Sequence, residues 1–325
     1  MLAFASVGLF ACQVSGQTAA KPAMPNYQFP SAELNKELPK WLKFSGNYQG
    51  RFEGFTGGGY KPNSSDAYFL NRFRLNMLIA PSPWLRFNFQ AQDARVWGKN
   101  QNPPVVPFQN TLDLRQAYVE IGDSETKAWG VRAGRQELVF GEQRLIGHLN
   151  WVNDARSFDA VRATWRHKGA RVDAFASTVV TQVDGEFDRA IRVKADNFHG
   201  IWANLPTLVK GVTIEPYLLW RVTRNLKSET GILGKRDFKT YGIRFSGKVA
   251  KVWDYTSETN GQKGSLANDS IGAFAGHWQI GYTMPKAMWK PRWLLEYNYA
   301  TGDKNPTDNK RGTFDQLYPT GHDKL

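Results

Sequence analysis

Between Asn71 and Gln92 the chain reads NRFRLNMLIAPSPWLRFNFQAQ, two alternating runs separated by Ala80-Pro81-Ser82-Pro83. In the first run Phe73, Leu75, Met77 and Ile79 share one face, and Arg72, Arg74 and Asn76 share the other. In the second, Leu85, Phe87, Phe89 and Ala91 oppose Arg86, Asn88, Gln90 and Gln92. Successive side chains of a strand point to opposite faces. The segment therefore predicts a hairpin with one unbroken apolar face and one face carrying arginine. The fold must hide the first from water and keep the second wet or paired.

The same period runs through most of the chain. Trp41–Phe55 alternates Phe44, Gly46, Tyr48, Gly50 and Phe52 against Ser45, Asn47, Gln49, Arg51 and Glu53. Further strands are expected at Leu112–Ile121, Ala128–Leu138, Phe158–Arg166, Ala170–Val180, Phe198–Leu205, Val212–Val222, Phe238–Lys248, Asp254–Gln262, Ser270–Met284 and Arg292–Ala300. That makes about thirteen strands, and no long helical period competes with them. Many runs exceed the usual strand length, and about ten tilted residues cross a bilayer core. Short connections (Ala80–Pro83, Asp123–Thr126, Lys168–Gly169, Val249–Val252) alternate with long ones (Gly54–Ala67, Gly98–Thr111, Gly141–Ser157, Thr223–Arg236, Lys263–Asp269). Short turns on one edge and long loops on the other mark an outer-membrane barrel. A soluble sandwich shares the rhythm but turns its apolar faces inward and its charges outward. Trp84, Trp97, Trp129 and Trp293 near strand ends fit interfacial girdles.

Mean hydropathy is -0.50, and no internal apolar run is long enough for a membrane helix. This excludes a helical membrane bundle but not a barrel, whose strands are half polar. The single cysteine, Cys12, excludes an intrachain disulfide framework and a cysteine metal site. Around it, residues 1–20 read as a signal peptide without its basic start. Residues 21–40, with Pro22, Pro25, Pro30 and Pro39, read as an irregular arm, and 41–325 as the barrel domain. Even strand numbers are the rule for single-chain bacterial barrels. No final amphipathic strand ending in an aromatic residue follows Thr301. The expectation is thus an all-β antiparallel transmembrane β-barrel supplied in part, as a curved or incompletely closed sheet.

The formal charge is +13. Arg or Lys facing lipid at the midplane costs about 2–4 kcal/mol, so the polar faces should look inward. That inward set holds Arg51, Arg72, Arg74, Arg86, Arg132, Arg162, Arg221, Arg244 and Lys248. The acids opposing it, Glu53, Glu120, Glu215 and Glu296, are too few to neutralise it. An electropositive lumen follows, one that concentrates anions. Nucleic-acid binding is disfavoured, because aromatics and arginines lie on opposite faces and would not share a stacking surface.

Residues 112–165 read LDLRQAYVEIGDSETKAWGVRAGRQELVFGEQRLIGHLNWVNDARSFDAVRATW. Together with LNRFRLNMLIAPSPWLRFNFQAQDARVW before them and YNYATGDKNPTDNKRGTFDQLYPTGHDK after them, they resemble the alginate-export family of outer-membrane barrels. The resemblance covers residues 41–325. It implies a porin-like barrel of about eighteen strands through which an anionic polysaccharide passes. It also implies pore roles for Arg115, in Leu114-Arg115-Gln116, and for Arg135, in Gly134-Arg135-Gln136. Strand parity sits awkwardly with both: Arg115 shares a face with Ala117, Val119 and Ile121 unless a bulge resets the register or it lies near the rim.

The expected function is an outer-membrane channel for passive export or diffusion of an anionic polysaccharide or other anionic solute. The alternative is a non-transporting structural or ligand-binding barrel. Expected partners are that polysaccharide or solute, outer-membrane lipid and periplasmic export components, with no nucleic acid. No catalytic residue, cofactor or metal is expected. Ser270, His277 and Asp269 lack a nucleophile-elbow context, and Gly57-Gly58-Gly59 lacks the Gly-Lys-Ser/Thr of a phosphate loop. Asp303, Asn305 and Asp308 suit turn formation better than calcium.

Overall fold

The computed structural model describes residues 30–60, 62–100, 106–189 and 195–321. The signal-peptide reading and most of the arm lie outside them. Within the described part of the arm, residues 38–40 lead irregularly into the sheet, but Pro30–Glu37 form a helix, α1, where an irregular stretch was expected. Asn35 ties it to the first strand, donating through Nδ2 to the Phe44 carbonyl (2.6 Å) and accepting the Phe44 N–H at Oδ1 (2.8 Å).

The rest is one antiparallel meander. Its strands are β1 (Leu42–Phe55), β2 (Asp66–Ser82), β3 (Leu85–Trp97), β4 (Asn110–Gly122), β5 (Trp129–Gln136), β6 (Phe158–His167) and β7 (Ala170–Val179). They continue as β8 (Asp196–Val209), β9 (Val212–Lys227), β10 (Leu233–Val249), β11 (Trp253–Leu266), β12 (Asp269–Thr283) and β13 (Arg292–Ala300). Each pairs with the next in sequence, and a two-residue β14 (Lys310–Arg311) adds parallel to β12. Among the described residues β1 and β13 do not pair, so the sheet is not closed.

Two hairpins run further than the sequence suggested. β11 continues to Leu266 and β12 starts at Asp269, so the expected long loop at Lys263–Asp269 is a two-residue connection. The expected loop Thr223–Arg236 shrinks likewise to residues 228–232. Both stretches lack regular alternation, and cross-strand backbone hydrogen bonds extend the ladders regardless. The edge asymmetry persists. Residues 83–84, 123–128, 168–169, 210–211, 250–252 and 284–291 turn at one edge. At the other lie the longer connections from β1 to β2, β3 to β4, β5 to β6 and β7 to β8, together with the short ones at 228–232 and 267–268.

Burial resolves the two faces. In β6, Phe158, Ala160, Arg162 and Thr164 are buried, while Val161, Ala163 and Trp165 are exposed. In β2, Arg72 and Arg74 are buried and Phe73 and Leu75 exposed. Trp84, Trp129, Trp165 and Trp253 stand exposed beside the short turns, and Trp293, also exposed, follows residues 284–291 at the same edge. An apolar outer face bordered by indoles is suited to lipid and its interface.

Candidate functional site

One long loop fixes which face is inside. Residues 137–157 cross the inward face and touch nearly the whole sheet. Arg51 of β1 donates to the Trp151 carbonyl (2.5 Å) and lies over the Trp151 ring (4.3 Å). Arg72 of β2 donates to the Asn150 and Val152 carbonyls, each at 3.0 Å. On the opposite side Arg244 of β10 and Thr256 of β11 reach Glu142, at 2.8 and 3.1 Å, and Arg144 reaches Glu296 of β13 at 3.0 Å. A loop can reach both unpaired end strands only if the sheet curls around it.

The loop enters because its first residues are apolar. Leu138 and Ile146 are fully buried, and Phe140 stacks between Phe175 (5.4 Å) and Trp202 (5.5 Å). Gly141 makes the turn, at φ +53, where a Cβ would stand 2.9 Å from the Trp202 ring. Residues 312–321 lie alongside: Tyr318 donates its N–H to Leu145 and accepts that of Gly147, both at 2.9 Å. The Tyr318 ring closes edge-on against Phe158 (5.6 Å) and Phe198 (4.8 Å). Arg156 clamps the two segments by donating to the carbonyls of Gly147 (3.3 Å) and Pro319 (3.2 Å). Sequence reasoning sent large apolar side chains outward, and Phe158, Phe198, Trp202, Tyr217 and Phe238 contradict it. They point inward because the two segments give them a dry surface to pack on.

The strand register turns Arg72, Arg74, Arg86, Arg132, Arg162, Arg221 and Arg244 to the inward face. Arg115 joins them through a bulge. Gln90 pairs with Gln116 and Ala91 with Leu114, leaving Arg115 unpaired between them, and its side chain is 2% exposed. Arg135 is the exception. It stands opposite Ala117 and Asp159, on the face of Val131 and Val161, and binds Asp159 at 2.9 Å, so a pore role for it does not follow from the geometry.

The inward arginines are far better matched than the strand acids suggested. Arg86 meets Asp123 (2.6 Å), Arg132 meets Glu120 (3.2 Å) and Arg162 meets Asp173 (2.9 Å). Arg115 meets Glu137, while Arg221 takes both Asp196 (2.6 Å) and Asp315 (2.9 Å). Arg244 bridges Glu215 and Glu142. The missed partners Asp123, Glu137, Glu142 and Asp315 sit in turns and loops, where strand parity assigns no face. Burial works to raise the Glu137 and Glu142 carboxyls, but Arg115 and Arg244 beside them hold both below the usual range. Arg72 and Arg74 have no carboxylate partner among the described residues. Arg74 binds Gln92 (2.7 Å), and both guanidinium groups are buried under the loop.

Near them Asp154, in the loop, accepts from Gln92 (3.1 Å) and Asn110 (3.3 Å). Asn110 also donates to Asp188 (2.9 Å), whose N–H donates to Asp113 (3.0 Å). Burial, with Asp188 and Asp113 close by, pushes the Asp154 carboxyl up to about 7, and Asp188 is raised as well. Arg72 and Arg74 are the facing cations. The folded chain thus retains protons that an unfolded carboxylate releases near pH 4. The clamp is strongest at low pH and weakens as pH rises through about 7. Amide exchange of residues 150–157, corrected for the intrinsic rate, should be faster at pH 8 than at pH 5.5, and Asp154→Asn should flatten that dependence.

At the short-turn end, Arg86, Glu120, Arg132 and Arg162 are direct cross-strand neighbours in one row. Arg132 and Arg162 border a cavity of about 430 Å³ with Arg171, Glu137, Asp173 and Glu215. Arg171 shares Asp173 with Arg162 and Glu125 with Arg166. Among the described residues no His, Cys, Asp and Glu group is arranged to hold a metal. Asp303, Asn305 and Asp308 each accept the backbone N–H two residues on, which accounts for them as turn formers.

A long-stranded antiparallel meander, apolar outside, charged within and crossed by one inward loop, is an outer-membrane β-barrel of the porin kind. Its fold is similar to that of OprB of Pseudomonas putida, at 12% identity and a TM-score of 0.51, covering 83% of this chain and 77% of that one. Weaker likenesses are OpdK of Pseudomonas aeruginosa, solved with vanillate (11%, TM-score 0.45, 81% and 82%), and OmpF of Salmonella typhi in complex with daunomycin (12%, 0.39, 84% and 94%). No curated protein matches the sequence. The alginate export family model matches residues 40–325, and the chain belongs to that family. It is an outer-membrane channel protein of the bacterial cell.

Proposed function

We propose that the channel passes anionic solutes, with an anionic polysaccharide as the family's suggestion, by passive diffusion along the inward face. The carrying observation is the row at the short-turn end. There Arg86, Arg132, Arg162, Arg166 and Arg171 share the fewer carboxylates Glu120, Asp123, Glu125 and Asp173. A guanidinium has five N–H donors in a fixed plane. Pairing orients each group and leaves donors over for a passing carboxylate. Weak sites in series admit an anion without trapping it. Short turns face the periplasm in such barrels, so this row forms the periplasmic mouth.

The inward loop and the 312–321 segment favour a second reading, a plugged barrel that binds without conducting. Planar-bilayer recording separates the two. The channel reading predicts conductance with anion preference, and a shift of the reversal potential towards cations in Arg132→Gln/Arg162→Gln. A silent bilayer favours the plugged barrel, and an unchanged reversal potential removes the arginine row from the permeation path.

A further inference from the structure

We propose that the outward face of β9, β10 and β11 holds the phosphates of an outer-leaflet lipid headgroup. Lys239 of β10 stands directly opposite Lys263 of β11, and both are exposed. Side chains so paired have Cβ atoms about 5 Å apart, and like charges there repel. Among the described residues neither lysine has an ion-pair partner. On its other side Lys239 faces Trp220, with the ammonium 5.9 Å from a ring centroid. Lys235 and exposed Arg224 extend the cluster towards the long-loop edge, where the β9–β10 register shifts.

The only acid on this face of β10 is already engaged. Asp237 takes Lys235 at 2.5 Å and the Trp220 indole N–H at 2.7 Å. Beyond Lys263 the next strand presents Gly272, where an added Cβ would meet nothing within 4 Å. An open space therefore adjoins two ammonium groups that form no ion pair among the described residues, with Asp237 the nearby acid that Lys235 already holds.

Their height identifies the occupant. Lys239 lies ten positions from Val249, the short-turn end of β10. About ten tilted residues span the apolar band, so the lysines emerge at the headgroup level of the outer leaflet. Below them on the same face, Tyr241, Ile243 and Phe245 offer an apolar bed for acyl chains. A phosphate between two ammonium groups turns repulsion into charge-assisted hydrogen bonding. The site lies outside the lumen and stands whether or not the barrel conducts.

The test uses the intact barrel in detergent, with native mass spectrometry of retained lipid. Bisphosphorylated lipid A, its fully dephosphorylated form and inorganic phosphate serve as probes. Wild type should retain bisphosphorylated lipid A at least tenfold better than the dephosphorylated form, and millimolar inorganic phosphate should not displace it. Lys239→Gln/Lys263→Gln should lose that preference, and Lys239→Arg/Lys263→Arg should keep it. Heat-modified gel mobility checks that each variant is folded; should the glutamine variant fail it, wild type's preference between the lipids decides. Equal retention of both lipids by wild type, unchanged retention by the folded glutamine variant, or displacement by free phosphate would overturn the proposal.

Discussion

Replacing residues 143–155 with a short Gly/Ser linker should raise single-channel conductance several-fold. This loop brings Trp151 against β1 and Arg144 against β13, so it spans the enclosed space from one end strand to the other. Water-filled width sets the current through a barrel, and no other described connection makes contacts on both sides. Leu138 and Phe140 stay in place in this variant and keep the inward aromatic cluster covered. Removal of Ile146 and Leu145 takes two buried side chains from that cluster, at about 2–5 kcal/mol for each truncation of this size. The measurement therefore needs a folded-fraction control by heat-modified mobility. An unchanged conductance in folded protein would place the narrowest point elsewhere.

The second large effect is on stability. Arg244→Met should destabilise the barrel by about 3–5 kcal/mol, because it strands the buried Glu215 carboxylate without its cation, whereas Glu142 keeps Arg144 at 3.8 Å. Arg244 is 11% exposed and joins Glu215 (5% exposed) on the wall to Glu142 on the loop. Trp202 and Asn204 donate to Glu215 at 3.3 and 3.0 Å and remain after the change, but neither carries charge. Adding Glu215→Leu should recover much of the loss, since a buried ion pair replaced by apolar groups is often neutral. Urea unfolding in lipid, followed by tryptophan fluorescence, gives both numbers. A single variant as stable as wild type would mean that Arg244 is solvated and free to serve a solute, and the double variant would then gain nothing. The expected result makes Arg244 a brace between loop and wall first.

These two outcomes differ from what Arg72, Arg74 and Arg244 suggested as bare letters. The alternation around Arg72 and Arg74 was legible because a strand's period is two, whatever lies beyond it. The bulge at Arg115 was legible only as an alternative: the parity conflict was visible, but the choice between rim and bulge needs the partner strand. The outward position of Arg135 also depends on pairing, since Asp159 lies on another strand. The aromatic cluster around Phe158 and Tyr318 was not legible, because its two halves are 160 positions apart in the chain.

By itself the sequence determined that this chain is a sequence of long two-faced strands, turned tightly at one edge, whose oily face needs lipid. Local alternation and turn chemistry carry that information. The tertiary structure alone decided that the inward face is part aromatic and part paired charge. Loop carboxylates and loop hydrophobes acquire a face only when the sheet curls and the loop folds in.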